Sequence, residues 1–170
     1  FAPSSMGAKT GTLTVMASPG GTATATLAGM GATPGALAIS PSTHDFGGVL
    51  LRMMSTTQTF TVTNMGGSTS GTLATTITGT RAADFEKTAD TCNTMTLGAG
   101  LTCVVTLRFH ANVRGAASAS LSVTGSPGGI AQASLQGTGQ APPSLTLSPT
   151  PTDFGTVTMG QNATQVFSLR

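Results

Sequence analysis

The chain has 170 residues, and its seven basic and five acidic residues leave a formal net charge of +2. It has no Trp or Tyr and no run of basic residues, so it lacks the electrostatic and aromatic features of a nucleic-acid-binding protein. No apolar run approaches the roughly 18 residues of a membrane-spanning helix, and the abundance of Thr, Gly and Pro favours an all-β fold.

The first segment of the chain, residues 1–31, is a partial copy of a later segment. Residues 1–49 align with residues 109–157 without a gap, and close to half of these positions are identical. The offset of 108 residues is too long for a solenoid unit and is typical of one β-sandwich domain. Residues 1–31 are therefore predicted to be the C-terminal strands of a preceding repeat.

Residues 36–139 are predicted to form one complete repeat. Three tracts, 59–63, 101–109 and 117–123, alternate apolar and polar residues with a period of two, as half-buried antiparallel strands do. Shorter candidate strands cover 37–40, 71–78, 84–87 and 130–135. In the 101–109 tract the inward face is predicted to carry Leu101, Cys103, Val105, Leu107 and Phe109. Short strands separated by Gly, Pro and Asn turns predict an antiparallel sandwich.

Linkers rich in Gly and Pro, 29–35 and 137–143, occupy equivalent repeat positions. Because Pro fixes φ and cannot donate to a strand ladder, Pro34 and Pro142-Pro143 are predicted to end pairing and to stiffen the joints. Residues 144–170 are predicted to be the N-terminal strands of a following repeat. Neither partial repeat is long enough for its own core, so each is expected to contact the central domain, a neighbouring chain, or sequence outside this chain.

Cys92 and Cys103 are the only cysteines, and ten residues separate them. Cys103 lies on the inward face of a predicted strand and Cys92 lies in the preceding loop, so we predict a disulfide that ties this loop to the strand. Such a bond indicates an oxidising compartment. Two independent buried thiols are the alternative. A zinc site is disfavoured because no further Cys and no His cluster completes a tetrahedral ligand set.

The candidates for catalysis are two histidines and two aspartates. His44 and His110 have no histidine at the equivalent repeat positions, and we interpret them as surface or turn residues. Asp45 and Asp153 occupy one repeat position, so they cannot form an acid/base pair within one domain. Each is predicted to hold a turn by accepting backbone hydrogen bonds, with the following Phe buried and the next Gly in a special backbone conformation.

Three further groups have both a functional and a structural interpretation. Asp84, Glu86 and Asp90 form a sparse acidic patch that could hold calcium, but a solvated face fits their spacing better. The glycine pairs at 66–67 and 128–129 lack the context of a phosphate loop and are predicted to be turns. The triplet beginning at Asn162 matches the N-glycosylation pattern, which chance explains adequately.

Taken together, several segments resemble the bacterial choice-of-anchor D domains, which are related to the ASH (Hydin-type) immunoglobulin-like family. The matching segments are 37–41, 45–47, 58–64, 92–103, 105–109, Gly115, 121–123 and 135–139. The family usually carries Phe-x-Pro after the second cysteine strand; Phe1-Ala2-Pro3 keeps this motif, whereas Phe109-His110-Ala111 loses the Pro. The resemblance implies an immunoglobulin-like sandwich in secreted or surface bacterial proteins, commonly in tandem. It implies no catalytic residues.

These observations predict an extracellular structural protein, secreted or at the cell surface, in which a tandem immunoglobulin-like array forms a stalk, surface fibre or filament. An adhesin segment, or a spacer or binding module of a larger secreted protein, is the alternative. The expected partners are copies of the chain, neighbouring repeats or cell-surface components. We expect no enzymatic activity, cofactor, metal, nucleic acid or small-molecule substrate, and the lack of Trp and Tyr disfavours carbohydrate binding.

The two ends suggest a further hypothesis. Residues 145–170 and residues 1–31 supply opposite parts of one repeat, so separate chains could complement each other head to tail by strand addition. The part of the repeat that matches residues 63–108 would be missing from such a joint. A continuous longer polypeptide is therefore the favoured explanation.

Overall fold

Twelve β-strands and one 3₁₀ turn form the regular structure of the computed structural model, which describes residues 1–170. The chain divides into two units, residues 1–140 and residues 141–170. The strands of the first unit are β1 (Gly7–Ala17), β2 (Gly21–Gly31), β3 (Leu37–Ser40), β4 (Thr43–Leu50), β5 (Gln58–Asn64), β6 (Ala74–Thr78), β7 (Phe85–Asp90), β8 (Thr102–Phe109), β9 (Gly115–Gly125) and β10 (Gly129–Gln140); the 3₁₀ turn covers Ala82–Asp84. The second unit contains β11 (Leu147–Ser148) and β12 (Ser168–Leu169).

Two four-stranded sheets form a sandwich from β3 to β10. One sheet has the order β3–β5–β8–β7 and the other has the order β4–β10–β9–β6. All pairs are antiparallel except β4 with β10, which is parallel. This is the strand order of an immunoglobulin-like domain, with a first strand shared between the two sheets. The predicted all-β, immunoglobulin-like fold is confirmed.

The core lies between the two sheets and follows the predicted alternation. In β8 the side chains of Cys103, Val105, Leu107 and Phe109 are all buried. The prediction was wrong for Leu101, which is 60% exposed. Its backbone N–H donates to the Gly98 carbonyl, so Leu101 belongs to the turn before β8, where the alternation of a strand no longer applies.

The strand β4 was not predicted, because its sequence reads as a turn. Asp45 Oδ1 does accept a hydrogen bond from the Gly47 N–H at 2.8 Å, and Gly47 has φ of +72°, as a turn requires. The Phe46 ring packs against the core but is only partly buried. The prediction of a buried ring was wrong for Phe154, which is 53% exposed, because the small two-stranded sheet of its unit provides no core to cover it. The turn is a bulge within a longer strand, since the register with β10 shifts at this point.

Other predicted strands differ in extent. The candidate at 71–78 begins only at Ala74, and the candidate at 130–135 is the middle of the longer β10. The candidate at 84–87 is divided, because Asp84 ends the 3₁₀ turn and β7 continues to Asp90. The longer extents of β7 and β10 arise where the neighbouring strands β8 and β9 supply backbone partners that local sequence does not specify.

The hairpin of β1 and β2 repeats the geometry of the hairpin of β9 and β10. Leu13 lies opposite Ala25 in the first hairpin, and the equivalent Leu121 lies opposite Ala133 in the second. The first hairpin forms its own two-stranded sheet, whereas the second lies between β4 and β6. The registers agree over the whole length of β1.

In the second unit, β11 and β12 repeat the pairing of β3 with β5. Leu147 lies opposite Leu169, as Ile39 lies opposite Val62 in the sandwich. The loop between β11 and β12 contains Asp153, whose Oδ1 accepts the Gly155 N–H at 2.8 Å, as Asp45 does for Gly47. The turn predicted at this repeat position is therefore present in both copies.

Candidate functional site

The linker between β2 and β3 is attached to the loop after β5 through Asn64. This side chain is fully buried and makes four hydrogen bonds. Its Oδ1 accepts the N–H groups of Ala36 and Gly66, both at 3.0 Å. Its Nδ2 donates to the carbonyls of Ser68 and Leu97, both at 2.8 Å. One side chain thus holds together the β2–β3 linker, the loop after β5 and the segment that leads into β8.

Direct contacts also hold the β2–β3 linker against the loop after β5, and together with Asn64 they form a joint between the linker and the domain. The Met65 N–H donates to the Ala36 carbonyl at 2.7 Å, and Thr33 Oγ1 accepts the Gly67 N–H at 2.8 Å. A Cβ at Gly66 would lie 2.1 Å from the Pro34 carbonyl oxygen, so no larger residue fits there without moving the backbone. The glycine pair at 66–67 is a turn, and it lets the linker pack directly on the domain.

The structure joins Cys92 and Cys103 in a disulfide, with both side chains in the core. Asp90 holds the turn beside it, since its Oδ1 accepts the backbone N–H groups of Cys92 and Asn93 at 3.0 Å each. Its Oδ2 accepts a hydrogen bond from the Thr75 hydroxyl and pairs with Lys87 Nζ at 2.9 Å. The disulfide loop is therefore anchored by polar contacts as well as by the covalent bond.

The pKa of Asp90 lies below its usual value of 3.8. Burial opposes ionisation of this carboxyl, but the hydrogen bonds from Thr75, from Lys87 and from the backbone N–H groups of Asn93 and Cys92 outweigh that effect. The ionised carboxylate is the form that the fold stabilises.

The expectation of a solvated acidic face was wrong for Asp84, which is buried. Its carboxylate pairs with Arg81 and accepts a hydrogen bond from Asn112 Nδ2 at 3.0 Å. Glu86 pairs separately with Arg108 on the neighbouring strand at 2.9 Å. Each of the three acids, including Asp90, has its own basic partner, and no three metal-ligating side chains come together. These acids lie close together in the sequence, but they do not form one cluster because each pairs with a different basic residue.

The two histidines lie in different surroundings. The His44 ring packs edge-on against Phe46, with 4.6 Å between ring centroids, and lies 6.4 Å from Phe60. The His110 backbone bridges to Met54, and its N–H donates to the Asp84 carbonyl. The structure does not bring either ring together with a nucleophile and a carboxylate. Both have packing or backbone roles.

The β1–β2 hairpin exposes a face that its counterpart buries. Leu13, Val15 and Leu27 are each more than half exposed, whereas the equivalent Leu121, Val123 and Leu135 are completely buried in the sandwich. Phe1 covers Gly29 on this face, as Phe109 covers Gly137. Beside the Phe1 ring lies an open groove of about 560 Å³. The hairpin thus exposes apolar side chains whose equivalents in β9 and β10 belong to the core.

The second unit exposes an equivalent set of apolar side chains. Phe154, Phe167 and Leu169 are 44–65% exposed, whereas two of their counterparts, Phe60 and Val62, are completely buried. The Asn162 triplet is also exposed, in the segment before β12. The second unit therefore leaves these apolar side chains uncovered.

The sequence pattern predicts Asn64 only as the end of a strand. The signal that could have identified it is local: an Asn directly after an alternating strand and before Gly66 and Gly67 is typical of a side chain that closes a turn. Its contacts with Ala36 and Leu97 carry no such signal, because they join positions that are far apart in the chain.

No protein-family model matches the chain, and no curated protein matches it in sequence. Its structure is similar to that of the VesB protease of Vibrio cholerae, with 22% identity and a TM-score of 0.46 over 60% of this chain. The chain spans 31% of that protease. None of its elements is a helix that is long and apolar enough to cross a membrane.

Two further solved structures are similar. A protein of unknown function from Porphyromonas gingivalis W83 has 12% identity and a TM-score of 0.49, over 81% of this chain and 68% of that one. The ASH/PapD-like domain 7 of human CEP192 has 13% identity and a TM-score of 0.44, over 63% of this chain and 87% of that domain. The immunoglobulin-like assignment itself rests on strand order and register.

Proposed function

We propose that the chain is part of an extracellular structural protein, in which immunoglobulin-like domains of the choice-of-anchor D type follow one another as rigid spacers in a stalk, fibre or filament. In this proposal residues 36–139 are one complete domain, residues 1–31 close the preceding domain, and residues 144–170 open the next. The observation that carries it is the repeated register of the β1–β2 hairpin in β9–β10.

Exposed apolar residues support this arrangement. Leu13, Val15 and Leu27 are exposed on the hairpin although their counterparts are core residues, so a preceding domain would bury them. The same argument applies to Phe167 and Leu169 at the other end. Apolar faces of this kind are costly in water and are expected to be covered in the native protein.

The proposed spacer role requires a rigid joint between consecutive domains. The linker residues Thr33 and Ala36 are bonded to the domain at Gly67, Met65 and Asn64, so the β2–β3 connection is fixed to the sandwich. Joints of this kind hold the angle between consecutive domains, whereas a free Gly/Ser linker would not.

The buried disulfide supports the extracellular assignment. Disulfides persist in oxidising environments and are rare in reducing ones, and Cys92 and Cys103 are joined in the core of the domain. The small net charge of +2 would also permit close packing between neighbouring molecules.

Electron microscopy of the native protein tests the proposal. We expect elongated particles or fibres with an axial repeat of about 40 Å, the length of a strand of 12 residues. Intact mass of the native chain should be well above 16.7 kDa. Compact single particles that bind a ligand would instead favour the alternative, a binding or adhesin module.

The joint can be tested separately by small-angle X-ray scattering of a protein that carries two consecutive domains. Asn64→Ala is expected to widen the distribution of interdomain angles and shorten the maximum dimension, because the linker loses its anchor. Asn93→Ala is the matched control, since Asn93 is exposed and its side chain takes part in only one long hydrogen bond, from the Thr75 N–H at 3.4 Å. Identical scattering from all three proteins would contradict a fixed joint.

A further inference from the structure

All eight methionines of the chain lie at the surface. Their exposed fractions run from 47% for Met54 to 98% for Met159, and the others are Met6, Met16, Met30, Met53, Met65 and Met95. Methionine is among the residue types most often buried in proteins. The complete absence of methionine from this core is therefore unusual for a chain with a substantial hydrophobic interior.

The interior also lacks the other side chains that oxidants attack. The chain has no Trp and no Tyr, and both cysteines are in the buried disulfide, with no free thiol. The large buried side chains are Phe, Leu and Val. Oxidisable sulfur in thioether form is thus confined to the surface, and the core consists of groups that resist oxidation.

Met6, Met16 and Met30 would remain outside the core of a complete preceding domain. Met6, Met16 and Met30 correspond by the 108-residue offset to Arg114, Thr124 and Thr138. None of these counterparts is buried in the sandwich. The surface position of these methionines does not depend on the open face of the hairpin.

We propose that these eight thioethers are oxidation sites that react in the folded state with two-electron oxidants such as hydrogen peroxide, and that the fold survives their complete conversion. In each reaction the sulfur lone pair attacks the peroxide, the O–O bond breaks, and a sulfoxide and one water form. The sulfur is oxidised and the peroxide is reduced. One chain would consume eight equivalents of oxidant in this way.

Exposure explains why the fold would tolerate the change. A sulfoxide is polar and disrupts a core or an apolar interface when it forms there. At an exposed position its oxygen is hydrated, so no buried polar group is created. Exposure also gives methionine sulfoxide reductases access to each site, so the reaction is expected to be reversible on the folded protein.

The test treats the folded chain of residues 1–170 with excess hydrogen peroxide and follows its intact mass and thermal unfolding. We expect a mass increase of eight oxygen atoms and an unfolding midpoint that shifts by less than about 4 °C. Reductases of both epimer specificities should then restore the original mass. A methionine that stays unmodified, a larger fall in the midpoint, or a mass that cannot be restored would overturn the proposal.

A core methionine provides the matched control. Leu121→Met places a thioether at a completely buried position, and it should oxidise at least roughly tenfold more slowly than the eight native sites. Leu107→Met offers a second buried position if the first variant does not fold. Equal oxidation rates at core and surface sites in a folded variant would show that surface position does not govern the reaction, against the proposal.

Discussion

At the residue scale, Asn64 shows how one buried amide can position several backbone segments. Its Oδ1 accepts two hydrogen bonds and its Nδ2 donates two, so the side chain is completely buried without an unpaired polar atom. The partners Ala36 and Leu97 lie on opposite sides of it in the chain. Removal of the side chain would leave buried N–H and C=O groups without partners.

We predict that Asn64→Ala lowers the free energy of unfolding by about 3 kcal/mol, because several buried backbone groups lose their hydrogen bonds. Urea unfolding followed by circular dichroism measures this change. Asn93→Ala, at an exposed position, should change stability by less than about 0.5 kcal/mol. Equal effects from the two substitutions would contradict the anchoring role.

The free energy of unfolding is expected to depend on pH through the carboxyl group of Asp90. Its pKa is lowered in the folded protein, so its ionised form contributes stability above the unfolded value of 3.8. That contribution is lost as the pH falls from about 3.8 through the lower folded pKa. We predict that Asp90→Asn costs about 1 kcal/mol at neutral pH and that its difference from the unmodified protein shrinks near pH 3.

Urea unfolding at the two pH values measures the change. The control is Glu86→Gln, in a pair whose carboxylate side chain is 48% exposed, which should have only a small effect at neutral pH. A constant difference between Asp90→Asn and the unmodified protein from neutral pH to about pH 3 would refute the assignment.

At the element scale, the bulge in β4 depends on Gly47. A Cβ there would meet no atom within 4 Å, so only the positive φ of +72° disfavours other residues. We predict that Gly47→Val costs about 2 kcal/mol, whereas Gly47→Asn costs clearly less, because Asn tolerates this conformation. Thermal unfolding compares the two variants. Equal losses would indicate that side-chain size rather than backbone conformation matters.

The disulfide ties the loop after β7 to β8. The loop-entropy estimate for a separation of 11 residues predicts that the Cys92→Ala/Cys103→Ala variant loses about 3 kcal/mol of stability. Chemical denaturation of both proteins under non-reducing conditions measures the loss. A reducing agent should not change the stability of the variant. It should lower the stability of the unmodified protein by about as much as the double substitution does. Insensitivity of the unmodified protein to full reduction would contradict this prediction.

At the scale of the whole molecule, protection against amide hydrogen exchange is expected to differ between the sandwich and residues 141–170. The sandwich has four-stranded sheets and a buried core, whereas β11 and β12 pair through only two residues each. We predict that amide hydrogens of β5, β8 and β9 exchange slowest and that those of residues 141–170 exchange fastest. Hydrogen exchange with mass spectrometry measures this. Strong protection across residues 141–170 in the isolated chain would contradict this prediction.

The sequence by itself determined the fold class and much of the core. A period of two places Val105, Leu107 and Phe109 on one side of a strand, and burial of that side follows from the hydrophobic effect alone. The turn at Asp45 and Gly47 was also predictable, since its hydrogen bond spans only two residues. Interactions of this kind depend on neighbours in the chain, so local patterns specify them.

The tertiary structure alone decided which distant groups meet. The turn at Asp45 became part of β4 because β10, some 90 residues later, offers a parallel partner. Asp90 found Thr75, and Asn64 found Ala36 and Leu97, through folding of segments that no local pattern relates. Pairing between distant strands depends on the arrangement of the whole sandwich, and this is why the joint and the anchored disulfide loop were visible only in three dimensions.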